Sequence, residues 1–185
     1  MSKEVSVVFL GGGECKRLFP LTINRAMSSV PFWGKYRIIY FSLGRGMNSG
    51  FRKIYVLLRY ASQSLANHIQ RNWAPQAGRD GFVVGLFPRM RKAHEYMFDG
   101  TADAVWQNWD SFVNVNQMSE LIVILNGDHI FKMAIDQMVT YHNEKNSDFT
   151  ISATRVPVDI ARGEFGVVVV DKDYRVIGFV EKSQN

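Results

Sequence analysis

The chain has 185 residues, a formal net charge of +5, and 46% hydrophobic and 13% aromatic residues, which is typical of a globular domain and excludes a disordered chain. No apolar run approaches the roughly 20 residues that span a bilayer, and the N-terminal residues lack the apolar core of a signal peptide. Because the single cysteine, Cys15, cannot form an internal disulfide, we expect a cytoplasmic protein with no membrane association.

The first half of the chain alternates strand-like and helix-like segments. Residues 5–10 are apolar apart from Ser6, which predicts a strand buried on both faces. Three glycines end this strand: Gly11, Gly12 and Gly13. The pattern then predicts a helix, a strand, a helix and a strand, at residues 37–48, 54–58, 62–73 and 82–87.

The second half begins with the clearest predicted helix, residues 101–113. Thr101 is its expected N-cap, and Trp106, Trp109 and Phe112 belong to its expected apolar face. A buried strand, a helix and three further strands follow, at residues 121–125, 135–145, 150–156, 165–170 and 174–180. This alternation predicts an α/β fold with a mostly parallel sheet, in which ligands bind beyond the carboxyl ends of the strands.

The glycine-rich loop after the first strand is a candidate phosphate site. Glycines let several backbone N–H groups approach a phosphate, and Lys16 and Arg17 could add charged hydrogen bonds. No Gly-Lys-Ser/Thr follows, so the loop is not a P-loop, and Cys15 and Lys16 do not fit the dinucleotide-binding fingerprint. On the glycines alone, a turn that binds no ligand is an equal alternative.

A second candidate loop carries Asp128, directly after the predicted strand at 121–125 and Gly127. Its carboxylate suits a hard cation such as Mg²⁺, although an aspartate at a turn is the alternative. No zinc motif is formed by the four histidines, His68, His94, His129 and His142. The basic residues are scattered, so we expect no nucleic-acid partner.

An ordered set of motifs extends over nearly the whole chain, at residues 11–22, 25–26, 30–32, 34–39, 48–50, 62, 64–65, 68–71, 73, 100–105, 107–108, 124–125, 127–130, 132, 165–167 and 179–182. In this order and spacing, the motifs resemble the glucose-1-phosphate adenylyltransferases, which are sugar-1-phosphate nucleotidyltransferases. The resemblance implies a Rossmann-like, three-layer nucleotidyltransferase domain with a mostly parallel central sheet.

The resemblance also implies a reaction of glycogen or starch synthesis, in which ATP and glucose 1-phosphate give ADP-glucose and pyrophosphate. Catalysis would rest on positioning and charge neutralisation, because the attacking phosphate oxygen is already ionised. Arg17 and Asp128 are the implied catalytic residues, with Asp128 binding Mg²⁺. The implied nucleotide-binding residues are Gly11, Gly12, Gly13, Arg17, Gly100 and Thr101, and the implied sugar-phosphate residues are Glu181 and Lys182.

Several positions depart from the family's pattern: Cys15, Lys16, Met27, Tyr40, Arg59 and Ala134. They leave two other functions open, a non-catalytic regulatory or structural relative and a transferase that uses UTP or dTTP. Full-length relatives form homo- or hetero-tetramers and carry further catalytic sequence and a left-handed β-helix domain. We therefore expect residues 1–185 to be the N-terminal part of a catalytic domain, incomplete at the C-terminus and without the β-helix domain.

Overall fold

The computed structural model describes residues 4–12, 18–58, 62–88, 98–113, 119–161, 163 and 165–181. The chain divides into two compact units, Met1–Gln137 and Met138–Asn185. Among the described residues, no helix combines the length and the apolarity that crossing a membrane requires.

The first unit contains strands and helices in alternation. Its strands are β1 (Val5–Leu10), β2 (Pro31–Phe32), β3 (Tyr36–Arg37), β4 (Lys53–Leu57), β5 (Phe82–Leu86) and β6 (Leu121–Asn126). Its helices are α1 (Ile39–Asn48), α2 (Gln63–Asn72), α3 (Thr101–Gln107), α4 (Trp109–Val113) and α5 (Ile135–Glu144), which continues into the second unit. Short 3-10 helices lie at Met27–Ser29 and Ala74–Ala77.

A four-stranded sheet forms the centre of this unit, in the order β5-β4-β1-β6 with all neighbours parallel. Residues Val7, Val8 and Phe9 of β1 are fully buried, because β1 is a central strand with side chains covered on both faces. This confirms the predicted strand at residues 5–10 and the parallel sheet.

Helices cover both faces of the sheet. Gly46 of α1 lies against Phe9 and Ile54 on one face. On the other face, Tyr55 makes an edge contact with Phe112 of α4, at 5.0 Å between ring centroids. Its hydroxyl donates a hydrogen bond to the backbone carbonyl of Ser111 at 2.8 Å. The unit is therefore a three-layer α/β/α domain, as expected.

The segment at residues 101–113 differs from its prediction. Gly100, not Thr101, is the N-cap residue, and the helix is interrupted at Asn108. Of the predicted apolar face, Phe112 is buried as expected, but Trp106 is 72% exposed and Trp109 43% exposed. The buried stripe takes every fourth residue, at Ala104, Asn108 and Phe112. Asn108 fits this buried stripe because its side chain donates to the carbonyl of Ala104 at 3.0 Å.

Two strand predictions also need correction. The strand β6 is only partly buried, with Ile124 45% exposed, because it lies at an edge of the sheet. Residues 150–156 form no strand. No strand in the described ranges pairs with this segment, and without a neighbour its backbone cannot form a ladder of hydrogen bonds.

The second unit contains the end of α5, a short helix α6 (Val158–Ala161) and an antiparallel hairpin of β7 (Gly166–Val170) and β8 (Val176–Glu181). Asp171 stabilises the hairpin turn, since its side chain accepts bonds from the backbone N–H groups of Asp173 and Arg175 at 2.9 and 2.8 Å. The two predicted strands at residues 165–170 and 174–180 are thus confirmed as a hairpin.

Candidate nucleotide site

The order of the strands singles out one crevice of the sheet. From β1 the chain places β4 and then β5 on one side, and later places β6 on the other side of β1. In open parallel sheets, ligands bind at such a reversal, beyond the carboxyl ends of the two strands. Here those ends are Leu10 and Asn126, which are paired in register. The glycine loop follows Leu10, and Asp128 follows Asn126.

The two loops begin in direct contact. The backbone N–H of Gly127 donates to the carbonyl of Leu10 at 3.0 Å, which extends the pairing of β1 and β6 by one residue. A Cβ on Gly127 would lie 3.1 Å from that carbonyl oxygen and 3.2 Å from the Cα of Gly11. Gly127 therefore permits a close approach that places the half-buried Asp128 beside the glycine loop.

Gly11 is held on both sides within the protein. Its N–H donates to the carbonyl of Leu57, at the carboxyl end of β4, at 2.9 Å. Its carbonyl accepts a hydrogen bond from the hydroxyl of Ser28 at 2.5 Å. Gly11 is buried and Gly12 is half-buried, so the loop starts inside the sheet and emerges at Gly12.

The turn that carries Asp128 is held by a serine of α1. The hydroxyl of Ser42 lies 3.2 Å from the carbonyl oxygen of Asn126 and 3.4 Å from that of His129. Its single proton can be shared between these two acceptors, which lie on either side of Gly127 and Asp128. Sequence reasoning missed both Ser28 and Ser42, because an isolated serine carries no signal for a partner far away in the chain.

A glycine with a positive φ precedes α3. Gly100 has φ 153° and ψ −175°, a region that only glycine populates readily. The side chain of Asp103 accepts a bond from the N–H of Asp99 at 3.0 Å, and its charge complements the positive end of the helix dipole. Phe98 and Ala104, on either side of Gly100, belong to the buried cluster beneath this helix.

A polar and aromatic cluster lies on the α1–α2 side. Nε2 of His68 lies 2.9 Å from the hydroxyl of Tyr40, and the Tyr40 ring makes an edge contact with Trp73. Burial, and then the charge of Arg37, lowers the pKa of His68. Burial also lowers the pKa of Arg37, with a further contribution from Arg25. Tyr40 is one of the positions that depart from the family's pattern, and here its side chain packs against His68 and Trp73.

The predicted site residues are distributed as follows. The structure brings Gly127, which precedes Asp128, against Gly11, and it places Gly100 and Thr101 at the start of α3. Glu181 is the last residue of β8, in the second unit, paired with Gly166. Other predicted or departing positions lie outside the described residues: Gly13, Cys15, Lys16, Arg17, Arg59 and Lys182.

Asp128 is compatible with a magnesium ion. Mg²⁺ is commonly held by one or two carboxylates together with substrate phosphates and water, rather than by a full cage of side chains. Within the described ranges, no group of three or more His, Cys, Asp or Glu side chains could hold a metal. A single half-buried carboxylate beside a glycine loop therefore fits a cation that arrives with a phosphate ligand.

Comparison with known proteins finds similar sequences over nearly the whole chain. A family model described as nucleotidyl transferase matches residues 6–185. A glucose-1-phosphate adenylyltransferase of Anaeromyxobacter sp. is 43% identical over 182 residues, covering 98% of this chain and 43% of the relative. The protein of that name from Geobacter metallireducens is 42% identical over 176 residues, covering 95% and 42%. The one from Thermus caldophilus is 43% identical over 185 residues, covering 98% and 44%. The chain thus spans less than half the length of these curated relatives.

Proposed function

Since the chain belongs to the nucleotidyl transferase family, we propose that it transfers the adenylyl group of ATP to glucose 1-phosphate, giving ADP-glucose and pyrophosphate. The observation that carries this proposal is the contact between the glycine loop and the Asp128 turn. The two loops meet at the reversal of strand order, where a parallel sheet binds its ligand. The names of the three relatives described above support the choice of ATP and glucose 1-phosphate.

The reaction requires one bond to form and one to break. An ionised phosphate oxygen of glucose 1-phosphate attacks the α-phosphorus of ATP, and the bond between the α-phosphorus and the bridging oxygen of the β-phosphate breaks. Pyrophosphate leaves with the electron pair of that bond. No proton must be removed from the nucleophile, so the protein contributes alignment and neutralisation of charge.

We assign different roles to the residues of the glycine loop. Both backbone hydrogen-bonding groups of Gly11 are engaged within the protein, so Gly11 anchors the loop. Phosphate contacts belong to Gly12 and the residues that follow it, with Gly13 and Arg17 as the predicted partners. Gly100 and Thr101 are proposed to lie near the base and ribose, and Glu181 and Lys182 near the sugar phosphate.

Asp128 is proposed to hold Mg²⁺ together with the phosphates of ATP. When bound, the ion would neutralise charge on the transferring phosphoryl group and the departing pyrophosphate. The backbone on either side of Asp128 is held by the Ser42 hydroxyl, which lies within hydrogen-bonding distance of the carbonyls of Asn126 and His129.

The experiment uses the intact protein as its gene encodes it. Purified protein is incubated with Mg²⁺, glucose 1-phosphate and ATP, UTP, dTTP or GTP in separate reactions, and pyrophosphate and nucleotide sugar are quantified. We expect ADP-glucose as the dominant product. Dominant product from UTP or dTTP would overturn the choice of base, and no product from any nucleotide would overturn the proposed transferase activity.

A further inference from the structure

Two buried hydroxyls reach from other elements to the two loops of the site. Ser28, in the 3-10 helix Met27–Ser29, is 1% exposed and donates to the carbonyl of Gly11. Ser42, in α1, is 0% exposed and lies within hydrogen-bonding distance of the carbonyls of Asn126 and His129. We propose that Ser28 and Ser42 are positioning residues that fix the glycine loop and the Asp128 turn for nucleotidyl transfer. This inference rests on the proposed function.

Because Ser28 and Ser42 are buried, their hydroxyls need hydrogen-bond partners within the protein, which a surface serine does not. A buried hydroxyl without a partner is costly, so a serine in the interior is tolerated where it makes a hydrogen bond. Neither Ser28 nor Ser42 has enough exposed surface to touch a substrate. Any effect of these side chains on the reaction must therefore pass through the backbone groups that they hold.

Other buried serines of the domain provide a contrast. Ser29 is 4% exposed and bonds to the carbonyl of Ala26 at 2.7 Å, within its own turn. Ser6 is 1% exposed and pairs with the hydroxyl of Ser119 at 2.6 Å. Ser6 lies near the start of β1, at the opposite end of that strand from Gly11. Ser29 and Ser6 therefore lose a comparable hydrogen bond on mutation without releasing either loop.

The two anchors act on loops that also touch one another. Gly127 donates to Leu10, and Ser42 bonds the carbonyls that lie just before Gly127 and just after Asp128. Ser28 holds the residue that follows Leu10. Release of either anchor lets its loop move relative to the other. A displacement of about 1 Å in a positioned site can reduce the rate by about 100-fold.

The test compares Ser28→Ala and Ser42→Ala with the matched controls Ser29→Ala and Ser6→Ala in the intact protein. Steady-state kinetics are measured with ATP and glucose 1-phosphate. Alignment is needed in the transition state more than in ground-state binding. We therefore expect kcat to fall about 10- to 100-fold in Ser28→Ala and Ser42→Ala, with KM for ATP changing less than about threefold. The two controls should keep kcat within about twofold, despite a comparable fall in the unfolding midpoint.

Amide hydrogen exchange gives a second readout that needs no turnover. Ser28→Ala should speed exchange at Gly11, and Ser42→Ala at Gly127, whereas Ser29→Ala and Ser6→Ala should leave both amides protected. Unchanged exchange at Gly11 and Gly127 would overturn the anchoring, and so would equal losses of kcat in all four variants. Absence of any product from the wild-type protein would overturn the proposed function instead, while hydrogen exchange would still decide whether the anchors exist.

Discussion

Replacing Gly127 with alanine would test the contact between the two loops. The added Cβ would meet the carbonyl oxygen of Leu10 at 3.1 Å and the Cα of Gly11 at 3.2 Å. Both are backbone atoms, so no flexible side chain can move aside. The ends of β1 and β6 would have to separate by a few tenths of an ångström, which strains the bond from the Gly127 N–H to Leu10.

The size of the effect follows from this geometry. Overpacking of a tightly packed site costs about 1–3 kcal/mol in the free energy of unfolding. In a domain of this size, each kcal/mol lowers the unfolding midpoint by about 2–4 °C. Because the strain lies between the proposed nucleotide loop and Asp128, kcat should also fall about 10- to 100-fold.

The assay pairs thermal unfolding with pyrophosphate release, and Gly44→Ala is the control. Gly44 lies inside α1, and its added Cβ would come no closer than 4.0 Å to Trp73. Alanine in a helix interior is favoured over glycine by about 0.5–1 kcal/mol, so Gly44→Ala should raise the midpoint. If Gly127→Ala has a wild-type midpoint and wild-type activity, the close approach of the two loops is refuted.

The remaining predictions concern single side chains around the sheet. In Gly100→Ala, no atom lies within 4 Å of the new Cβ, so the variant should lose stability only through backbone strain. We expect the free energy of unfolding, measured in urea, to fall by about 1–3 kcal/mol. An unchanged midpoint would contradict the positive φ of Gly100. The pKa of His68 is lower in the folded protein, because burial and Arg37 disfavour its charged form. The free energy of unfolding should therefore fall as the pH drops through the unfolded value near 6.5, and less steeply in His68→Gln; equal slopes would refute this. Tyr55→Phe should cost about 1 kcal/mol by loss of the bond to Ser111, and a stabilised variant would argue against that bond.

The local pattern of the sequence predicted the parts of the fold that depend on local chemistry. Residues 5–10 form β1 as expected, because a short apolar run ended by glycines has few other stable outcomes. Residues 150–156 were predicted as a strand but form none, since strand formation needs a neighbour that the local sequence does not specify. The strand order could not be predicted from local sequence either, because β1 pairs with strands from distant parts of the chain.

The helix at residues 101–113 shows a different limit. The pattern counted Trp106 and Trp109 toward the buried face because they are apolar. The structure buries Asn108 instead, because a local hydrogen bond to Ala104 satisfies its amide. A periodicity argument that treats every polar residue as exposed cannot anticipate a satisfied polar group in the core.

For the candidate site, the motifs identified the loops but not what holds them. Gly11 and Asp128 were singled out from the sequence, and the strand order explains why their loops meet. The hydroxyls of Ser28 and Ser42 bond to carbonyls 17 and 84 residues away along the chain. No spacing rule connects residues at such separations, so the anchors became visible only in the folded structure.

The most direct test of the central claim compares the activity of two single variants of the intact protein, Asp128→Asn and the control Asp80→Asn. Both variants remove one negative charge, but Asp80 is exposed and precedes β5, at the edge of the sheet opposite Asp128. With ATP, glucose 1-phosphate and Mg²⁺, Asp128→Asn should lower kcat at least about 100-fold, which is about 2.7 kcal/mol in the activation barrier. Asp80→Asn should match the wild-type protein. Equal turnover in the wild-type protein and Asp128→Asn would contradict the proposed site at the junction of β1 and β6.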